Sequence, residues 1–201
     1  MADYRLLIEL SLNDILKLPE CAGLLSQMKE DERMVSLFEA TSRATVWITD
    51  DEEAGHSIFV FDTNGVNKDK LLMVHNSERA EIYLWKIDGV LFKRYSKCDC
   101  AVVHGDELHL VEFKANAKNE SEVSIKSNYD KACNQLALTL QYIEEAYQRI
   151  GKEIDNVFSN IDALIVFDRI VPQNNAYQKS VSARFLSQTT RVLTFGKDLT
   201  V

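Results

Sequence analysis

The strongest constraint on the fold of this chain comes from two apolar, β-rich runs, 97–104 and 107–114, separated only by Gly105 and Asp106. Gly followed by any residue is a permitted two-residue turn between antiparallel strands, so the pattern predicts a tight hairpin. The two runs together carry six Val, Leu and Phe residues: Val102, Val103, Leu108, Leu110, Val111 and Phe113. Such density is typical of central strands covered on both faces.

The turn also fixes the register of the hairpin. His104 would pair with Glu107, and the same register places Asp99 directly opposite Glu112. Directly opposed carboxylates repel each other, so they need a counterion if they are buried. Lys114 follows Glu112 by two residues and would point to the same face. This Asp–Glu–Lys set would suit Mg²⁺, which proteins bind through one or two carboxylates.

Other elements follow from periodicity and turn residues. An apolar stripe predicts a helix over 128–150, ended by Gly151, and weaker spacing predicts a helix over 19–42. Strands are predicted at 45–49, 57–61, 80–87, 161–167 and 191–195. We therefore expect an α/β (α+β) fold, with one domain over 1–201 and a central mixed sheet flanked by helices.

Two interpretations of the paired acids remain open on pattern alone. They form a metal site, or they lie on a solvated sheet face where Lys114 and Lys97 neutralise them. In the second case the chain is a plain α/β domain, and Asp99, Glu112 and Lys114 match a metal-site motif by chance.

Asp99, a gap of 12 residues and then Glu112-Phe113-Lys114 resemble the signature of the PD-(D/E)xK nuclease superfamily. Gln135 on the following helix fits as well, and the resemblance places it in the catalytic group. Cys98 stands where that signature has its Pro. The resemblance implies a restriction-endonuclease-like αβββαβ core over about 29–195.

The resemblance also implies a role for each residue. Asp99 and Glu112 would bind one or two Mg²⁺ (or Mn²⁺) ions, with the backbone carbonyl of Phe113 as a further ligand. Lys114 would orient the attacking water and stabilise charge on the scissile phosphate. Glu39, on the predicted upstream helix, is a candidate for an additional metal-binding carboxylate.

Basic residues flank this motif on both sides. Each of them could position a phosphate of a nucleic acid, although single basic residues are more often only solvated. These candidates are Lys93, Arg94, Lys97, Lys118 and Lys131.

The net charge of −8 does not by itself exclude a nucleic-acid partner. Residues 1–92 carry 17 acidic and 9 basic side chains, whereas residues 93–201 carry 14 of each.

The expected function is Mg²⁺-dependent phosphodiester hydrolysis of DNA, by an endonuclease of restriction, repair or mobile-element type. The alternative is a catalytically inactive nuclease-fold module that binds nucleic acid or a basic partner protein.

Specificity for the nucleic-acid substrate is expected from the loops 115–127 and 172–180, from a homodimer or from a partner protein.

The sequence contains no apolar run of about 18 residues and no basic-flanked apolar leader at its start. We therefore expect a cytoplasmic protein without a membrane span.

Overall fold

The computed structural model describes residues 37–89, 96–114, 121–149, 151–167 and 176–201. These residues form ten strands, two α-helices and two short 3₁₀ turns. The strands are β1 (Phe38–Thr41), β2 (Thr45–Asp51), β3 (His56–Val60), β4 (Leu72–His75), β5 (Ile82–Lys86), β6 (Cys100–His104), β7 (Glu107–Phe113), β8 (Asn160–Val166), β9 (Val192–Phe195) and β10 (Asp198–Thr200). The helices are α1 (Glu122–Arg149) and α2 (Ala176–Thr189).

The larger sheet has six strands in the order β1-β5-β6-β7-β8-β9. Neighbouring strands from β1 to β7 are antiparallel, and β7, β8 and β9 run parallel. The predicted hairpin lies at the centre of this sheet. Its predicted register is confirmed from the His104–Glu107 pair at the turn as far as the Cys100–Val111 pair.

The two faces of this sheet are covered by different layers. Helices α1 and α2 pack on one face, where Leu136 and Phe185 join a buried cluster with Leu108. A four-stranded sheet, in the order β10-β4-β2-β3, packs on the other face, where Ile48 contacts the cluster that contains Val111. The central hairpin is therefore covered on both sides, as the sequence predicts.

Helix α1 begins earlier than its apolar stripe indicates. The Oγ of Ser121 accepts a hydrogen bond from the N–H of Ser124, so Ser121 caps a helix that starts at Glu122 rather than at residue 128. Gly151 lies in the left-handed region at φ +71°. Its N–H donates to the carbonyl of Gln148, which ends the helix as predicted.

The predicted helix over 19–42 is wrong at its C-terminal end. Residues 38–41 form β1, antiparallel to β5, and residues 19–36 lie outside the described part of the chain. Phe38 stacks on Trp85 with ring centroids 5.7 Å apart, so packing onto β5 overrides the weak helical spacing.

The prediction of specificity loops at 115–127 and 172–180 is also corrected, because 122–127 and 176–180 are helical.

Neither of the two described α-helices combines the length and the apolar character that a membrane span requires.

Candidate functional site

Asp99 lies just before β6, where the regular pairing of β6 with β7 has ended. Its N–H donates to the carbonyl of Val111 at 3.2 Å. Its Oδ2 accepts a hydrogen bond from the N–H of Phe113 at 2.6 Å. The ladder ends at the Cys100–Val111 pair, so Asp99 and Glu112 do not form the ladder pair that the sequence predicts. Instead, the Asp99 side chain takes the place of a backbone acceptor for β7 and is fixed by that bond.

Glu112 is a carboxylate in the interior of the protein. Its side chain is 1% exposed, and its Oε1 accepts a hydrogen bond from the ammonium of Lys114. Its other oxygen, Oε2, is buried and has no hydrogen-bond partner among the described residues. The structure therefore brings Glu112 and Lys114 together, with one carboxylate oxygen left unsatisfied.

Gln135 connects helix α1 to both strands of the hairpin. Its Oε1 accepts a hydrogen bond from Lys114 Nζ at 2.9 Å, and its Nε2 donates to the carbonyl of Lys97 at 2.7 Å. One turn further along α1, the Oγ1 of buried Thr139 accepts a hydrogen bond from the N–H of Cys98 at 2.8 Å. These bonds hold Lys114 between Glu112 and Gln135.

The acidic side chains of this site raise one another's pKa. Burial, and after it the negative charge of Asp50, raises the pKa of Asp99 to about 7. Burial raises the pKa of Glu112 well above its ordinary range, and the charge of Asp99 is the next cause. Asp99 and Glu112 are therefore close enough to interact electrostatically, and both resist carrying a negative charge in the metal-free protein.

The sequence analysis missed two carboxylates of this neighbourhood, Asp50 and Asp88. Burial, followed by the charge of Asp88, raises the pKa of Asp50. A sequence signal for Asp50 exists: Val46 and Ile48 are buried, and Asp50 continues their alternation on the same side of β2. The run of acidic residues from Asp50 onwards is typical of a solvated loop, which concealed this position.

The other predicted metal ligands have mixed placements. Glu39 lies on β1 rather than on a helix, and its Oε1 is 2.6 Å from the ammonium of Lys86. Phe113 is nearly buried, and its N–H is taken by Asp99. The roles of Glu39 and of the Phe113 carbonyl as metal ligands stay predictions.

Only two of the five predicted phosphate contacts are among the described residues. Lys131 is exposed on α1, one turn before Gln135. Lys97 is largely buried, and its ammonium is 3.1 Å from the carboxylate of Asp88, which leaves it poorly placed to reach a phosphate. Lys93, Arg94 and Lys118 lie outside the described residues.

The donor set suits a hard divalent cation. Within the described ranges, no three His, Cys, Asp or Glu side chains are placed as a ready group of ligands. Mg²⁺ needs only one or two carboxylates, since it keeps several of its waters. Buried Asp99, the unsatisfied Oε2 of Glu112 and their mutual repulsion all favour a cation at this position.

Comparisons of the chain with protein-family models, with curated proteins and with solved structures found no match.

Proposed function

We propose that the protein is a Mg²⁺- or Mn²⁺-dependent phosphodiesterase of the PD-(D/E)xK type that acts on DNA. The observation that carries this proposal is the convergence of Asp99, Glu112, Lys114 and Gln135, which come from two strands and a helix, in one largely buried cluster. An ordinary surface ion pair has neither a buried carboxylate with an unpartnered oxygen nor an amide that holds the ammonium in place, whereas this cluster has both.

The order of elements supports the nuclease fold. Strands β5, β6 and β7 form an antiparallel meander, α1 follows, and β8 returns parallel to β7. This order matches the βββαβ part of the αβββαβ core that the sequence resemblance implies. The first helix of such a core would fall on residues outside the described part of the chain.

Each residue of the cluster would have a distinct task. Asp99 and Glu112 would hold the cation, Glu112 directly or through one of its waters. The cation would lower the pKa of a bound water and neutralise charge on the phosphate. The ammonium of Lys114 is held in position by hydrogen bonds to Glu112 Oε1 and Gln135 Oε1. It would orient the attacking water and stabilise the developing negative charge.

A second candidate is a nuclease-fold module that binds nucleic acid or a basic partner without cleaving. Burial of the cluster favours it: Glu112 is 1% exposed and Asp99 is 7% exposed. The acidic excess of residues 1–92 would suit a basic partner. This candidate predicts binding that does not depend on the ammonium of Lys114.

The test is cleavage of supercoiled plasmid, linear duplex and single-stranded DNA with Mg²⁺ or Mn²⁺. Wild type would be compared with Lys114→Ala and with Lys152→Ala, which removes the same charge from a partly exposed position just after α1. We expect Lys114→Ala to lower the rate by about 100-fold or more, as for loss of a charged group that stabilises a transition state. We expect Lys152→Ala to retain most of the activity.

Circular dichroism would confirm that both variants are folded. Equal cleavage by wild type and Lys114→Ala would contradict the assignment of the site. Binding of DNA or of a basic protein without cleavage of any of these substrates would favour the second candidate.

A further inference from the structure

Strand β2 of the smaller sheet brings Asp50 to the cluster. Val46 and Ile48 on this strand are fully buried in the core shared with the larger sheet, and Asp50 continues the same side of the strand. Its partner across the β2–β3 hairpin is Ser57, which lies beside the thiol of Cys100. Cys100 directly follows Asp99. Asp50 therefore lies on the side of β2 that packs against the larger sheet, toward the strand that Asp99 precedes.

A backbone contact holds this arrangement in place. The carbonyl of Gly55, in the turn of the β2–β3 hairpin, lies so close to Gly89 that a Cβ there would collide with its oxygen. The neighbouring N–H of Asp88 donates to the carbonyl of Asp99 at 3.0 Å. One short segment therefore links the hairpin of the smaller sheet to the backbone of Asp99.

The charges of the cluster do not balance. Asp88 is paired with Lys97, and Glu112 is paired with Lys114. Asp50 and Asp99 form no ion pair with any residue in the described part of the chain. When they are ionised, these two carboxylates carry a charge equal and opposite to that of one divalent cation.

A second observation points to a ligand at the same place. Glu112 Oε2 is inaccessible to solvent and has no hydrogen-bond partner among the described residues. A buried carboxylate oxygen without a donor is costly, and such groups in native proteins are usually satisfied by water or by an ion. Glu112 directly precedes Phe113, whose N–H binds Asp99 Oδ2, so this free oxygen lies beside the same cluster.

We propose that one divalent cation is held by Asp50 and Asp99 at the end of the central hairpin, with Glu112 Oε2 accepting a hydrogen bond from one of the ion's waters. The inference rests on the proposed function and deepens it, because it assigns a metal-binding carboxylate to the smaller sheet. Two carboxylates with retained waters is the coordination that Mg²⁺ commonly adopts in proteins. The β2–β3 hairpin is then part of the site rather than a cover for it.

The experiment is Mn²⁺ binding to the full chain at pH 8, measured by isothermal titration calorimetry. Wild type would be compared with Asp50→Asn and with the matched control Asp51→Asn. The control removes the same charge at the next position, where Oδ1 accepts hydrogen bonds from the N–H groups of Glu53 and Ala54. Asn keeps that acceptor, so the hairpin turn is preserved.

We expect Asp50→Asn to weaken Mn²⁺ binding by at least about 10-fold, because loss even of groups that only support metal ligands has effects of this size. We expect Asp51→Asn to bind within about 2-fold of wild type, as for loss of an exposed charge. In EDTA, Asp50→Asn should unfold at the same temperature as wild type or higher, since it removes repulsion. Asp50→Ser is the second substitution if Asp50→Asn does not fold.

Wild-type affinity in Asp50→Asn, together with loss of binding in Asp99→Asn, would overturn this inference and leave the proposed function standing. Absence of Mn²⁺ binding by wild type would also overturn it. Plasmid cleavage measured on the same samples tests the proposed function separately. Binding that depends on Asp50 without cleavage would support the inference and contradict the nuclease assignment.

Discussion

Asp99 combines two roles at the edge of the central hairpin. Its Oδ2 accepts the N–H of Phe113, which a regular ladder would satisfy through the backbone. Its carbonyl accepts hydrogen bonds from the N–H groups of Ile87 and Asp88. The residue is therefore fixed at several points, although burial disfavours its negative charge. A buried side chain with a perturbed pKa is typical of functional sites.

The raised pKa of Asp99 has a defined effect on stability. The folded protein retains a proton on Asp99 up to a pKa of about 7, whereas the unfolded chain loses it near the ordinary pKa of 3.8. The folded state then binds more protons between these values, so stability falls as pH rises from about 4 to 7. The full effect is on the order of 4 kcal/mol, and Glu112 acts in the same direction.

Urea unfolding in EDTA at pH 5.5 and pH 8 checks this. We expect wild type to be less stable at pH 8, and Asp99→Asn to show a smaller difference between the two pH values because it cannot ionise. A larger pH difference in Asp99→Asn than in wild type would contradict the assigned direction.

Strand alternation and hairpin register are local properties, and they predicted Asp99, Glu112 and Lys114 as members of one site. The resemblance to the nuclease signature added Gln135. The sequence did not predict Asp50 or the pairing of Lys97 with Asp88. Both depend on how a second sheet packs onto the first, and no local spacing encodes that approach. Glu39 was assigned to a helix because helical spacing alone does not reveal that Phe38 packs on Trp85.

At the scale of elements, the turn of the β2–β3 hairpin meets the segment after β5 through a close backbone approach. Gly89 has φ +74°, and its missing Cβ leaves room for the carbonyl of Gly55. A side chain at this position would be strained by its backbone conformation and would also push the two segments apart. The contact therefore depends on glycine for two separate reasons.

Gly89→Ala and Gly65→Ala separate these reasons. Gly65 also has a positive φ, +76°, but a Cβ added there would meet no atom within 4 Å. We expect Gly65→Ala to cost about 1 kcal/mol from its backbone conformation alone. Gly89→Ala should cost about 3 kcal/mol or more, because overpacking adds to that cost. Chemical denaturation measures both, and equal losses would show that the approach of Gly55 does not restrain the hairpin.

At the scale of the whole molecule, the larger sheet separates a helical layer from a second sheet, and the candidate site lies where these layers meet. The sequence predicted the hairpin, α1, β8 and β9, which are strongly patterned segments. It did not predict α2, β4 or β10. The last two pair with each other in parallel although they are far apart in the chain. Such long-range pairing leaves no local signal, because short apolar runs are compatible with several partners.

The most direct test of the nuclease assignment compares two glutamates of the same strand. Glu112 lies at the site, whereas Glu107 lies at the hairpin end of β7, about 17 Å away at the usual rise of a strand. We predict that Mg²⁺-dependent nicking of supercoiled plasmid is lost in Glu112→Gln and retained in Glu107→Gln, with both variants folded. Nicking that persists in Glu112→Gln, or that is lost equally in both variants, would contradict the assignment of the catalytic centre.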